Sequence, residues 1–174
     1  MKKHLLIFFL MAFSVFCFAA ESENISVPNK AIGFSYTSGT EEFMNMGITY
    51  QQWFDNSLGF SGTIGGAFQK DSEIAITTLF DLQKKFLTNY FQKSDITTIL
   101  FGWVSGGYIY NKIDKNDPEE EDFIAYAYAA GLGIGFDIIV SNHISVPIKV
   151  GFMGSYGEKP LVDFTFGTGF CYRF

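Results

Sequence analysis

The last eleven residues of the chain, from Phe164 to Phe174, alternate strictly between two kinds of side chain. One phase is aromatic except at Thr168, and the other holds only small or polar residues until Arg173. Alternation with a period of two predicts a β-strand with one apolar face and one small or polar face. This strand is the most informative feature of the chain, because its apolar face is mostly aromatic and the sequence stops on a phenylalanine.

Seven further strand-like stretches precede it, of roughly ten residues and bounded by turn residues, and all but the fifth alternate clearly. They include Ala31–Thr37, Phe43–Phe54 and Ile96–Asn111, and the terminal strand is the eighth. The predicted connections alternate in character. One set comprises Ser38–Glu42, Gln69–Glu73, Lys112–Asp122 and Ser155–Pro160, and the other comprises Asp55–Ser57, Thr88–Asp95 and Ser141–His143. Segments of this length and pattern are typical of a membrane barrel.

The second face of these stretches separates a membrane barrel from a soluble sandwich. In a sandwich that face meets water and is rich in charge. Here it consists mainly of glycine, alanine, serine and threonine, as at Gly131, Gly133 and Gly135. An eight-stranded barrel is just wide enough to be filled by such side chains. The sequence therefore predicts an all-β fold, an eight-stranded antiparallel up-and-down transmembrane β-barrel. A soluble eight-stranded calyx is the alternative.

The fifth stretch has no clear phase. Ile99, Phe101 and Trp103 compete with Leu100 and Val104 for the lipid-facing side. A bulge near Gly106–Gly107 could switch the phase partway along the strand. Both arrangements stay open.

The amino terminus predicts export. Two lysines precede an apolar run from Leu5 to Phe18, and small residues follow before Glu21. This pattern is that of a secretory signal peptide over residues 1–20, with cleavage after Ala19 or Ala20. Lipid modification of Cys17 is an alternative. The barrel domain is then residues 21–174, and no later segment has the ~18 apolar residues of a membrane-spanning helix.

Removing residues 1–20 excludes several classes of function. Ten basic and eighteen acidic side chains remain, a net charge of −8, together with one histidine (His143) and one cysteine (Cys171). One histidine cannot form a multi-histidine metal site, and one cysteine cannot form an internal disulfide. The acidic balance argues against nucleic acid as a partner. We expect no cofactor, no metal and no catalytic residue.

The stretch Gly167–Phe174 (GTGFCYRF) resembles the carboxyl-terminal assembly signal of bacterial outer-membrane barrels. Gly169, Tyr172 and Phe174 match its glycine and aromatic positions, and Gly167 departs at its polar position. Over residues 21–174 the chain resembles the small outer-membrane barrels of Gram-negative bacteria. The resemblance implies a monomer in the bacterial outer membrane. It also implies contact with membrane lipids and a lipopolysaccharide-type leaflet, and recognition by the barrel-assembly machinery.

The charged residues of the small-residue face are expected to form a structural network in the lumen. Unpaired charges there would be costly, so they should pair or be hydrated. The predicted members are Asp81, Asp137, His143, Lys149, Asp163 and Arg173. Asp137 and Arg173 descend to the same end of the barrel on strands separated by one other. We therefore expect them to meet and to close that end.

Two stretches contain candidate catalytic or ligand-binding residues. His143 and Ser145 have the spacing of the histidine and serine in outer-membrane lipid A deacylases, and alternation predicts that both point inward. The tight turn beside them puts them at the periplasmic end, away from the lipid A substrate, so a hydrogen bond at the barrel rim is preferred. Lys112–Asp122 holds six acidic residues. It is read as a solvated loop, with cation or surface-ligand binding as the alternative.

These inferences favour a non-enzymatic integral outer-membrane protein with a structural or surface-interaction role. A narrow conduit for small or apolar molecules is the alternative, and a lipid A-modifying hydrolase is a third possibility. The fold alone cannot choose among them, because the same barrel supports many functions.

Overall fold

The structure is a computed structural model, and it describes residues 28–39, 44–54, 57–68, 74–113, 123–156 and 161–174. The predicted signal peptide and the acidic residues 114–122 lie outside these ranges. None of the described residues belongs to a helix long and apolar enough to span a membrane.

Eight antiparallel strands form a closed barrel in which each strand pairs with its neighbours in sequence, and β1 pairs with β8. The strands are β1 Lys30–Gly39, β2 Met44–Trp53, β3 Leu58–Phe68, β4 Ile74–Phe91, β5 Ile96–Ile113, β6 Phe123–Val140, β7 Ile144–Tyr156 and β8 Leu161–Arg173. The predicted fold class is confirmed. Closure leaves β1 and β8 without the free edge that a terminal strand of an open sheet would have.

The two ends of the barrel differ in their connections. At one end, called the turn end, residues 54–57, 92–95 and 141–143 join the strands, and β1 begins and β8 ends there. At the other, called the loop end, the connections are residues 40–43, 69–73, 114–122 and 157–160. Strands β4, β5 and β6 have 18 residues each, against 10 in β1 and β2.

The outer wall of the barrel is apolar. Phe34 is 70% exposed, Leu82 67% and Ile64 64%. The residues directly before and after each of them in sequence point inward. Similar residues continue around the wall, among them Ile48, Phe80, Ile134, Phe152, Phe166 and Phe170. A soluble monomer rarely exposes one continuous apolar surface of this extent, whereas lipid solvates it.

The structure resolves the phase of β5. Ile99, Phe101 and Trp103 point into the lumen and are buried, and Leu100 and Val104 point outward. Of the two open arrangements, the one with a bulge near Gly106–Gly107 is excluded, because pairing with both neighbours runs through these residues without a shift. The irregularity lies instead in β4, between Lys85 and Leu87. The extra residue there, Phe86, switches the phase of β4, so β5 keeps one phase throughout.

The predicted connection Thr88–Asp95 was too long. Strand β4 continues to Phe91, and the turn comprises only residues 92–95, closed by Asp95 with a φ of 50°. The backbone N–H of Ser94 donates to the carbonyl of Phe91 at 3.1 Å. The polar residues Thr88 and Asn89 at the strand end are those that resemble a loop in the sequence.

Candidate functional site

The inner face of the barrel carries a buried ion pair at the turn end. Nη2 of Arg173 on β8 lies 2.5 Å from Oδ2 of Asp137 on β6, and both side chains are fully buried. The same nitrogen donates to Oε1 of Gln51 at 2.8 Å, and Nη1 donates to the carbonyl of Pro28 at 3.2 Å. Ser145 on β7 donates its hydroxyl hydrogen to Oδ1 of Asp137 at 2.6 Å. Both carboxylate oxygens are therefore satisfied, as a buried charge requires.

A second ion pair crosses the lumen farther from the turn end. Lys149 on β7 donates to the carboxylate of Asp81 on β4, and its Nζ lies 3.4 Å from Oγ of Ser61 on β3. In the closed order of eight strands, β7 and β3 are four apart in either direction and face each other. The lysine side chain therefore bridges opposite walls of the barrel.

Two glutamines connect the ion pairs. Nε2 of Gln51 donates to Oε1 of Gln83 at 2.8 Å, and Nε2 of Gln83 donates to Oγ of Ser61 at 3.0 Å. Ser61 in turn donates to Oδ2 of Asp81 at 2.8 Å. Because Arg173 can only donate, Oε1 of Gln51 must face it, and the orientation of both amides follows from that contact. One directed chain of hydrogen bonds thus joins Arg173 to Asp81.

Large apolar side chains fill the turn-end part of the lumen. Trp53, Ile99, Phe101, Trp103 and Ile139 form one buried cluster. The indole of Trp103 lies against the backbone of β6 and β7, and its Nε1 donates to the carbonyl of Ile134 at 3.2 Å. A Cβ at Gly133 would lie 2.8 Å from that indole, and a Cβ at Gly135 would lie 2.3 Å from the ring of Phe101. The glycines therefore leave the space that the aromatic rings occupy.

A cavity that opens to solvent adjoins the Lys149–Asp81 pair. Its lining is mostly hydroxyl-bearing on β1, β2, β3 and β8, with Ser35, Thr37, Thr49, Thr63 and Thr165. Cys171 also lines it and is buried on the inner face, as its phase predicts. Among the described residues, no group of three or more His, Cys, Asp or Glu side chains could hold a metal ion.

Four of the six predicted network residues meet in two pairs, Asp137 with Arg173 and Asp81 with Lys149. Asp163 is buried on the inner face of β8, toward the loop end. His143 is the exception, and its predicted place in the lumen was wrong. It is the last residue of the 141–143 turn, outside the strand, so alternation does not orient it. Its exposed ring stacks on Tyr172 of the outer wall, with centroids 5.8 Å apart.

The positions of His143 and Ser145 separate them chemically. Ser145 is fully buried and bonded to Asp137, whereas His143 is exposed on the outer face. A histidine can act as general base only within hydrogen-bond reach of the hydroxyl that it activates. The arrangement therefore contradicts the use of this pair for hydrolysis.

Sequence reasoning did not assign Gln51, Gln83 and Ser61 to the network. All three stand on the predicted small-residue face, but only the charged members of that face were followed. Polar inward residues at similar heights on β2, β3 and β4 would have been the signal. The strand register places the three residues at similar heights. Gln51 pairs directly with Ser61, and Gln83 pairs with Gly59, which stands two residues before Ser61 on the same strand.

The three residues of the predicted assembly signal lie near the turn end of β8. Tyr172 and Phe174 are exposed on the outer wall, next to Phe170 in the same phase. Gly169 points inward opposite Ser35 of β1.

No protein-family model matches the chain, and no curated protein matches it significantly. Among solved structures, the amino-terminal β-barrel domain of Pseudomonas aeruginosa OprF has a TM-score of 0.59 and 16% identity, covering 86% of this chain and 100% of that domain. Ail, the attachment invasion locus protein of Yersinia pestis, has a TM-score of 0.39 and 15% identity, with coverage of 86% and 100%. Neisserial surface protein A has a TM-score of 0.42 and 12% identity, with coverage of 83% and 91%. At these identities the OprF domain establishes the fold alone, that of the small outer-membrane barrels.

Proposed function

We propose that this protein is a non-enzymatic integral protein of the bacterial outer membrane with a structural or surface-interaction role. The observation that carries the proposal is a lumen crossed by side chains inside an apolar outer wall. The buried Arg173–Asp137 pair and the aromatic cluster occupy the turn end, and Lys149 reaches across to Asp81. A barrel filled in this way acts through its surface, because its interior offers no wide aqueous path.

In this proposal the loop end faces the cell exterior and the turn end faces the periplasm. The longest connection, residues 114–122, is then outside, as bacterial barrels prefer. The apolar wall is solvated by lipid and by the lipid portion of a lipopolysaccharide-type leaflet, and the protein is a monomer. Gly169, Tyr172 and Phe174 are the residues that the barrel-assembly machinery recognises.

A narrow conduit is the second candidate, and the cavity beside Lys149 favours it. Transport through the barrel would require Lys149 to leave Asp81 and the aromatic cluster beneath it to separate. Lipid A hydrolysis has no such support, since His143 and Ser145 face opposite sides of the wall.

Membrane fractionation with gel analysis tests the proposal. The chain should be recovered with the outer membrane, and unheated samples should migrate differently from boiled ones, because a closed barrel resists detergent unfolding. Recovery as a detergent-free soluble monomer from the periplasm would contradict it.

A further inference from the structure

The cavity beside the Lys149–Asp81 pair is a pocket that is closed toward the turn end. Trp103 lines it on that side, and the rest of the aromatic cluster and the buried ion pair of β6 and β8 fill the lumen beyond. The eight strands of the closed barrel surround it laterally. The cavity therefore opens toward the loop end.

Hydroxyl groups with unused hydrogen-bonding capacity line one side of this pocket. Ser35 and Thr37 on β1 are half-buried, and their hydroxyls make no hydrogen bond to any described residue. Thr49 on β2 accepts a hydrogen bond from Thr63 on β3 at 3.0 Å, which leaves the hydroxyl hydrogen of Thr49 for the cavity. Because a hydroxyl both donates and accepts, this wall can bind either kind of group on a ligand.

The charges at the pocket cancel. Lys149 and Asp81 bind each other, and Oδ2 of Asp81 also accepts a hydrogen bond from Ser61. Oδ1 of the same carboxylate bonds to no described residue, and one N–H of the ammonium remains after Asp81 and Ser61 have taken the others. A charged ligand would have to break the ion pair, whereas a neutral one can add to it.

The other side of the pocket offers space and apolar contacts. A Cβ at Gly167 on β8 would lie 3.2 Å from Oγ1 of Thr37 and 3.6 Å from Cβ of Lys149. The missing side chain therefore leaves room between the hydroxyl wall and the ion pair. Trp103 and Met153 also line the pocket and present apolar surface to it. Water would bond to the hydroxyls but would gain nothing from these apolar groups.

We propose that this pocket binds a small neutral polyhydroxy compound of about the size of glycerol. The hydroxyls of the ligand bond to Ser35, Thr37 and Oδ1 of Asp81, and its C–H groups contact Trp103. Apolar lining with a few convergent polar groups is the usual form of a small-molecule site. The binding is independent of the surface role proposed above, because it needs neither a path through the barrel nor a partner at the loop end.

Nuclear magnetic resonance titration tests the proposal. The isotope-labelled full chain, purified in a detergent whose headgroup has no hydroxyl, is titrated with glycerol and with propanol, which has the same carbon chain. Glycerol should shift the amide resonances of Thr37, Thr49 and Gly167 and should saturate, with a midpoint on the order of 10 mM. Propanol should bind at least about tenfold more weakly. Glycerol shifts that never saturate would mean that the pocket holds water only, and equal binding of the two alcohols would overturn the polyhydroxy ligand.

A charged analogue tests the argument from charge. Glycerol phosphate should bind at least about tenfold more weakly than glycerol, because its phosphate must displace Asp81 from Lys149. Tighter binding of glycerol phosphate would show that the pocket takes anions and would contradict the proposal.

A pair of matched variants locates the binding. Thr37→Val removes an inward hydroxyl and keeps the shape of the side chain, and Thr78→Val makes the same change on the outer wall of β4. We expect Thr37→Val to weaken glycerol binding about three- to tenfold and Thr78→Val to change it less than about twofold. Heat-modifiable migration on gels confirms that both variants fold. Equal affinities of the two variants for glycerol would exclude the pocket as the site.

Discussion

Arg173 and Asp137 form a fully buried ion pair, with 2.5 Å between Nη2 and Oδ2, although their strands β8 and β6 are not neighbours. The strand between them contributes Ser145, which binds the second carboxylate oxygen. Three adjacent strands are therefore linked by side chains in addition to their backbone ladder. The ladder between β7 and β8 is interrupted near Pro147, where ladder pairing skips from Ser145 to Ile148. The side-chain link lies beside that interruption.

Breaking this pair should destabilise the barrel strongly. Arg173→Gln leaves Asp137 buried without its cation, and we expect a loss of about 3–5 kcal/mol in the free energy of unfolding. The double variant with Asp137→Asn should lose less than the sum of the two single variants. Urea unfolding in detergent or lipid measures all four proteins. Additive losses would mean that the two charges do not interact.

Ser145 and His143 should differ in their effect on stability. Ser145→Ala removes a buried donor to Asp137, with an expected loss of about 1–3 kcal/mol. His143→Ala removes an exposed ring at the turn and should change the unfolding free energy by less than about 1 kcal/mol. The same urea titration compares them. Similar losses in both variants would contradict their positions on opposite faces.

Gly133 should not tolerate even a methyl group. A Cβ there would lie 2.1 Å from the carbonyl oxygen of Val150, so the backbone of β7 would have to move. We expect Gly133→Ala to cost about 1–3 kcal/mol through overpacking. Gly106→Ala is the matched control on β5, because nothing lies within 4 Å of its Cβ position. The Trp fluorescence of the folded protein and its free energy of unfolding in urea should change for Gly133→Ala and not for Gly106→Ala.

Deleting Phe174 should impair assembly in cells more than folding in vitro. Its side chain is exposed on the outer wall, so its removal costs at most about 2 kcal/mol of lipid-facing burial. The larger loss is expected in outer-membrane yield, because the residue belongs to the proposed assembly signal. Levels in cells are compared with refolding yield in detergent. An equal loss in both would refute the assembly role.

Alternation was sufficient to predict the strand count and the inward phase of Asp81, Asp137, Lys149 and Arg173, whereas closure into a barrel was predicted from the small residues of the second face. The strand count and the phase follow from a side-chain period of two, which every strand shares. The pairing of Asp137 with Arg173 also followed, because both residues lie near the same end of the barrel.

Other features depended on contacts that the sequence does not encode locally. Both faces of β5 are apolar, so its phase is set by the glycines of β6 that accommodate Trp103 and Phe101. The bulge in β4 at Phe86 is not marked in the sequence by a glycine on β4. The ring of Phe86 lies over Gly102 of β5, which has no side chain to block it. His143 lies outside the lumen because it is a turn residue, and strand alternation does not orient the side chains of turn residues.

Single-channel conductance of the purified, refolded protein in a planar bilayer tests the central claim most directly. Lys149 bridges to Asp81, and the Arg173–Asp137 pair and the aromatic cluster occupy the turn end. We therefore predict that the wild-type barrel has no long-lived open state. Asp81→Asn with Lys149→Gln should leave the turn-end cluster in place and should stay non-conducting. A stable open conductance in the wild-type protein would contradict the account and favour the conduit.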